Sequence, residues 1–302
     1  MGEQYQLFFV QRFKGKVLFN VPMSRYTSIR VGGPADVMAF PRDEADLRDI
    51  MVFATTKNFP LFVLGGGTNL VVRDGGIRGI VVNMTEGFED ITWSDETTVV
   101  VESGVGLAAL VNRLKERSLG GLEFAAGIPG TVGGAVAMNA GAYGRDMSGV
   151  VEGVEVIDRK GKKGFIPAAE LSFSYRKTSL PKDSIIVRVH MRFEKKERSE
   201  IEEEMDRLRK RREDTGSVGY PSAGSIFRNP EGGYAGRLIE EAGLKGYRIG
   251  DAQISDVHAN YIINRGEAKA RDVLALMALA RDRVFGLKGI VLEPEVRVVG
   301  ED

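Results

Sequence analysis

Hydrophobic positions along the chain switch repeatedly between a helical and a strand period. From Asp43, a residue type suited to cap a helix, Leu47, Ile50, Met51 and Ala54 recur on one helical face, which predicts a helix over 43–58. The apolar run Leu61-Phe62-Val63-Leu64 predicts a strand ending in Gly65-Gly66-Gly67-Thr68-Asn69, and 70–72 and 79–82 read as further short strands. A β-branched run at 97–102 precedes Leu107, Leu110, Val111 and Leu114, predicting a strand and then a helix closed by Gly120-Gly121. At 184–193 the alternation of Ile185, Val187, Val189, Met191 and Phe193 predicts a strand with one buried face.

The pattern changes after Phe193. Residues 194–214 are almost all charged, except that Ile201, Met205 and Leu208 share a helical face, and Ser199 with Glu202 has the spacing of a capping box. Mixed-sign charge on such a helix is a solvated face, and the domain boundary is placed here, near 195. Beyond it, Ala235, Leu238, Ile239 and Ala242 predict a helix, 260–264 a strand, 273–285 a second helix and 291–299 a final strand. The whole reads as an α+β chain in two parts, 1–195 and 196–302, the first divided again near 85.

Composition narrows the chemistry. No apolar run is long enough to cross a bilayer, and the cluster Leu7-Phe8-Phe9-Val10 is too brief for the apolar region of a signal peptide, so a cytoplasmic protein with no membrane partner is expected. With no cysteine and two distant histidines, there is no disulfide, thiolate nucleophile or iron–sulfur cluster, and no metal site is expected. Lys+Arg and Asp+Glu number 42 each, so no global field favours nucleic acid, although a local phosphate pocket fits this balance. Oligomeric state has no signature in the sequence.

Glycine is the informative excess, clustered at 65–79, 120–144 and 216–250. A diphosphate needs several converging backbone N–H donors, which glycine-rich turns supply without side-chain obstruction. Two such loops are present, VLGGGTNLVVRDGG at 63–76 and AGIPGTVGGAVAMNAGAYG at 126–144. Between them Gly104-Val105-Gly106-Leu107-Ala108-Ala109 fits a dinucleotide fingerprint, with Glu123 near the spacing of a ribose-binding acid. Glu123 follows Gly120-Gly121-Leu122 instead of ending an apolar strand, so the strand–helix–strand unit is incomplete and this reading is set aside.

At these residues the chain resembles the UDP-N-acetylenolpyruvoylglucosamine reductases: TSIRVGGPAD at 27–36, LGGGTNLVVRDGG at 64–76, GLEFAAGIPGTVGGAVAMNAGAYG at 121–144, SYRKTSL at 174–180, PSAGSIFRNP at 221–230, AGLKGYRIGDAQISDVHANYIIN at 242–264 and LEPEVRVVG at 292–300 follow in that family's order. The resemblance implies a two-part FAD-binding domain of the vanillyl-alcohol-oxidase type over 1–195 and a smaller α+β domain over 196–302 that receives the UDP-sugar. It assigns non-covalent FAD to Gly65, Gly66, Gly67, Thr68 and Asn69 and to Gly127, Ile128, Pro129, Gly130, Thr131, Gly133, Gly134 and Asn139. Neither loop holds a histidine, which with tyrosine and cysteine is the usual attachment point in covalent relatives of that fold. Thr68 and Thr131 stand where serine is more usual and keep the hydroxyl. Thr215-Gly216-Ser217 replaces a common Gln-Pro pair, and the short connection from Arg176 to Ser225 matches the family's shorter, type II branch.

The implied reaction passes hydride from NADPH through the flavin to the enolpyruvyl group of UDP-N-acetylglucosamine enolpyruvate. Hydride addition leaves negative charge on the neighbouring carbon and its carboxylate, so a cation, an acid and a hydrogen-bonding carboxyl group are needed. By resemblance these are Arg176, Ser225 and Glu295. Arg176 is a permanent cation with a fork suited to a carboxylate, and its bland alternative is a surface salt bridge. Ser225 lies among small residues that admit a ligand, and its alternative is a turn serine. Glu293 and Glu295 flank Pro294 on one predicted face with Arg297, and an ion pair with Arg297 would explain Glu293. Tyr175, Arg212, Asn229, His258 and Asn260 take substrate positions by motif, while His258 reads equally as a structural histidine. Two other readings stay open at this point: another flavin oxidoreductase of the same fold, and a nucleotide-binding module without turnover.

Overall fold

The computed structural model describes residues 8–213 and 219–302, so Thr215-Gly216-Ser217 lies outside the described residues. The chain forms two compact units: one from residues up to Phe19 with Asp36–Gly66 and Gly79–Lys210, the other from Asn20–Ala35, Gly67–Arg78 and Arg211–Asp302. This differs from a single cut near 195. The charged helix Arg198–Glu213 belongs largely to the first unit, because Ile201 and Met205 enter that unit's core. Residues 20–35 and 67–78 belong to the second, where Ile29, Val31 and Val71 join the C-terminal core. Burial of an apolar stripe, not charge composition, decides the membership of a helix.

The first unit holds two sheets and two cores. One sheet has four strands in the order Lys16–Pro22, Pro34–Phe40, Ile77–Asn83, Leu61–Leu64. The helix Glu44–Thr56 buries Leu47, Ile50, Met51 and Ala54, and Asp43 caps it by accepting the Asp46 N–H at 3.0 Å. The other sheet has five antiparallel strands in the order Lys163–Pro167, Val151–Ile157, Ile185–Arg192, Thr98–Glu102, Ile91–Trp93. In its strand Ile185–Arg192, Ile185, Val187, Val189 and Met191 are all buried, as the alternation requires.

Two local expectations change. The helix Leu107–Glu116 stops at Arg117, where Ser118 turns left-handed at φ 57°, so Gly120-Gly121 do not close it. Leu119–Gly120 instead pairs with Glu194–Lys195 as a short antiparallel strand. Ser199 lies inside the helix Arg198–Glu213, and the side chain of Glu202 meets Arg198 at 3.0 Å, so these two residues form no capping box.

The second unit carries a four-stranded antiparallel sheet in the order Ser222–Ser225, Tyr261–Asn264, Ala252–Ile254, Arg248–Ile249, with the helices Ala235–Glu241 and Ala270–Lys288. The Asp74 carboxylate accepts the N–H groups of Ala270 and Arg271 at 2.9 and 3.0 Å, which ties the end of the first glycine-loop segment to the start of the long helix. The expected strand over 291–299 is shorter: only Arg297–Val299 is regular, parallel to Leu70–Val72. Pro294, which has no N–H to give, marks an isolated bridge with Phe227.

Candidate active site

The start of the first glycine loop, at Gly65, meets the second loop within the first unit. A Cβ on Gly65 would stand 2.5 Å from Thr131 Oγ1, so only glycine allows the exit of the strand Leu61–Leu64 to lie against the second loop. Thr131 is buried and caps the short helix Val132–Ala137, accepting the Gly134 N–H at 3.3 Å. Gly66, Gly127 and Gly134 are exposed beside these contacts. Exposed backbone without side chains on two touching loops fits the demands of a flavin diphosphate.

The dinucleotide-like segment has a different use. Gly133 and Leu107 donate to the carbonyls of Ser103 and Gly130 and Val132 donates to that of Val105, each at 2.9 Å, so 103–107 is the backing strip of the second loop. The strand Thr98–Glu102 that feeds it pairs antiparallel on both sides. Glu123, with a side chain 1% exposed, is bound to Lys196 at 3.0 Å and to the Gly121 N–H at 2.8 Å. Burial opposes its ionisation, but backbone N–H groups and Lys196 outweigh it and hold the carboxyl below the usual range.

Some assigned flavin contacts are occupied by the protein itself. Gly133 is buried against Ser103, whose Cβ would lie 2.6 Å from an added one. Gly67 is buried at φ 63°, where a Cβ would collide with the Tyr26 carbonyl, and its own carbonyl accepts the Ser28 N–H at 3.0 Å. Asn139 is 2% exposed and holds Ser174, Asp146 and Ser148.

Arg176 sits in the two-residue turn between Phe173–Ser174 and Lys177–Thr178, at φ 58°. Its guanidinium donates to the Gly141 carbonyl at 2.7 Å and lies 5.0 Å from the centroid of the exposed Tyr175 ring. The catalytic candidate is thereby attached to the tail of the second glycine loop.

The segments that bear Ser225 and Glu295 pair through their backbones in the second unit. The Arg228 N–H donates to the Glu293 carbonyl at 2.9 Å and the Glu295 N–H to the Ile226 carbonyl at 2.8 Å, with Phe227 and Pro294 bridged between them. Glu295 is thus opposite Ile226, the residue after Ser225. Ser222 pairs with Ile263 and Ser225 with Tyr261, so the strand carries one extra residue, and Gly224 at φ 75° accommodates the bulge. The cation nearest Glu293 is Arg228, at 3.9 Å, and not Arg297 as expected. The short ladder turns Glu293 towards Arg228 in place of a continuous strand face.

The motif-assigned substrate residues divide. Asn260 is 3% exposed; it accepts the Phe227 N–H at 3.0 Å and donates to the Phe227 carbonyl at 2.8 Å, so it holds the segment beside Ser225. Asn229 accepts the Ala235 N–H, at the start of the helix Ala235–Glu241, at 3.0 Å. His258 accepts the Asn260 N–H on Nδ1 at 3.2 Å, and burial lowers its pKa, which together keep the ring neutral with its proton on Nε2. Arg212 is half-buried in the last turn of the helix Arg198–Glu213. Sequence reasoning missed Gly224, Gly141 and Asp146 as supports of the site. Gly224 was visible as the glycine of the Ser-Ala-Gly-Ser run, but carbonyl and carboxylate partners across the fold leave no local signal.

An FAD binding domain profile matches residues 35–163, and the profile of the UDP-N-acetylenolpyruvoylglucosamine reductase C-terminal domain matches 216–299. The UDP-N-acetylenolpyruvoylglucosamine reductase of Caldanaerobacter subterraneus subsp. tengcongensis is 43% identical over 95% of both chains. That of an Anaeromyxobacter species is 45% identical over 96% of this chain and 91% of its own. The crystal structure of UDP-N-acetylenolpyruvylglucosamine reductase from Thermus caldophilus superposes with a TM-score of 0.82 at 36% identity, covering 95% of this chain and 99% of that one. These matches over nearly the whole chain show that this α+β chain belongs to the UDP-N-acetylenolpyruvoylglucosamine reductase family, as an FAD-dependent oxidoreductase.

Proposed function

We propose that the chain reduces the enolpyruvyl double bond of UDP-N-acetylglucosamine enolpyruvate to give UDP-N-acetylmuramate, with NADPH as hydride donor, in the cytoplasmic synthesis of peptidoglycan precursors. The observation that carries this reading is the ladder that sets Glu295 opposite Ile226, the residue after Ser225. FAD, held non-covalently by the backbone of the two loops, supplies hydride acceptance and return when bound. The chain's own residues then have separable tasks. The guanidinium of Arg176 neutralises the substrate carboxylate and the charge that spreads onto it as the double bond is reduced. Ser225 Oγ gives its proton to the carbon bearing that charge, completing the addition of one hydride and one proton. Glu295 hydrogen-bonds the reacting group and steadies the developing enolate. Glu293, on the far side of Pro294, supports the segment.

The test is NADPH oxidation with and without the sugar, together with the two half-reactions in Ser225→Ala. Flavin reduction by NADPH should remain near wild type, while reoxidation by the sugar slows about 10²–10⁴-fold, the range of a positioned general acid. Equal slowing of both halves would assign Ser225 to folding or flavin placement. NADPH oxidation that ignores the sugar would favour an oxidase.

A further inference from the structure

The hairpin bearing Arg176 is docked at three points on the end of the short helix of the second glycine loop and the segment that follows it. Thr178 Oγ1 donates to the Val136 carbonyl at 2.5 Å, Asn139 Nδ2 donates to the Ser174 carbonyl at 3.1 Å, and Arg176 donates to the Gly141 carbonyl at 2.7 Å. Asn139 is the central one. Its Nδ2 also meets Asp146 at 3.0 Å and its Oδ1 accepts the Ser148 N–H at 3.1 Å. A flipped amide would set oxygen against a carbonyl and a carboxylate, so the orientation follows from the partners. Both protons of the amide are thereby committed inside the protein, and the residue is itself in the left-handed region at φ 41°.

Arg176 also occupies that region, at φ 58°, in a turn with no glycine. A non-glycine residue stays there only when its surroundings over-determine the backbone. The bond from Asn139 fixes the carbonyl of Ser174, two residues before Arg176.

We infer that Asn139 is a positioning residue for Arg176 and not a flavin contact: the tail of the cofactor loop holds the turn that aims the guanidinium at the substrate carboxylate. This rests on the role proposed above for Arg176. It implies that loss of the anchor harms the sugar half-reaction while leaving the flavin in place.

Three measurements on Asn139→Ala test it: FAD affinity by fluorescence titration, flavin reduction by NADPH, and flavin reoxidation by the UDP-sugar. FAD affinity and NADPH reduction should stay within about threefold of wild type. Reoxidation should fall roughly tenfold to a hundredfold, the scale of a misplaced group. In an Arg176→Ala background the same change should add almost nothing, because both act through one guanidinium. A tenfold or greater loss of FAD affinity with normal reoxidation at saturating FAD would overturn the inference and restore Asn139 as a flavin contact. A full additional loss in the Arg176→Ala background would overturn it too. If Arg176→Ala leaves reoxidation intact, the role of Arg176 falls and this inference with it. Should Asn139→Ala not fold, Thr178→Val removes a neighbouring anchor and must give the same split between half-reactions, or the inference fails.

Discussion

The side-chain amide of Asn69 donates to the backbone carbonyl of Glu295 at 3.2 Å, and the Arg297 N–H returns a bond to the Asn69 carbonyl at 3.1 Å. The last residue of the first glycine turn and the segment bearing Glu295 are therefore one hydrogen-bonded piece of the second unit. Asn69→Ala should cost about 1 kcal/mol of stability, the usual worth of such a bond. It should also slow sugar-dependent reoxidation more than flavin reduction, because Glu295 loses a restraint. Thermal melting and stopped-flow absorbance on the same preparation check both.

The two glutamates around Pro294 should fail differently. Glu295→Gln keeps size and some hydrogen bonding but removes the ionisable group, so turnover should fall strongly with little change in melting temperature. Glu293 is 73% exposed and 3.9 Å from Arg228, a surface pair. Its replacement by Gln should cost less than about 1 kcal/mol and leave turnover near wild type. Loss of reoxidation in Glu293→Gln at unchanged stability, with Glu295→Gln active, would reverse the assignment.

Gly224 has open space around a would-be Cβ, yet its φ of 75° excludes an unstrained alanine. Gly224→Ala should therefore cost about 1–2 kcal/mol from backbone conformation alone. If the strand relieves that strain by losing the bulge, Ser225 turns away and sugar-dependent reoxidation falls with it. Normal reoxidation kinetics in a destabilised variant would show that the bulge does not aim Ser225.

A cluster on the first unit sets a pH dependence. Burial raises the Glu155 carboxyl, but Lys163 at 2.7 Å, His190 at 3.0 Å and Arg188 at 3.2 Å outweigh it and bring its pKa from 4.5 to about 2. Because the folded value is the lower one, this stabilisation is complete above about pH 4.5 and is lost as pH falls towards 2. The contribution is at most about 3 kcal/mol at 1.36 kcal/mol per unit. Melting temperatures from pH 6 to pH 2.5 should fall more steeply in wild type than in Glu155→Gln, and parallel curves would remove Glu155 from the account.

Glu123 separates a structural carboxylate from a nucleotide ligand. Glu123→Gln takes the charge from a buried group bound to Lys196, with Arg145 3.6 Å away. Stability should drop by about 2–4 kcal/mol, less than the full cost of a broken buried pair because Lys196 also meets Glu204 at 2.8 Å. The KM for NADPH should not move. A raised KM at unchanged melting temperature would revive the ribose-binding reading.

Much of this protein was legible in one dimension because its signals are local. The helix face of Leu47, Ile50, Met51 and Ala54, the alternation from Ile185 to Met191 and the capping Asp43 are properties of spacing, and the structure reproduces all three. The order of motifs, from both glycine loops to the final glutamate pair, was enough to name the family. Other expectations depended on partners far away in sequence. The charged helix joined the first unit because two apolar residues found a core there, and 20–35 crossed to the second for the same reason. Glu293 met Arg228 because a bridge at Pro294 replaced a regular strand. Asn139 and Gly133, read as ligand contacts from the family resemblance, lie against Ser174 and Ser103. Spacing along a chain determines which faces are apolar and where backbone can come close. Which buried donor meets which acceptor is decided only by tertiary structure, since a buried polar group must find its partner wherever packing puts one.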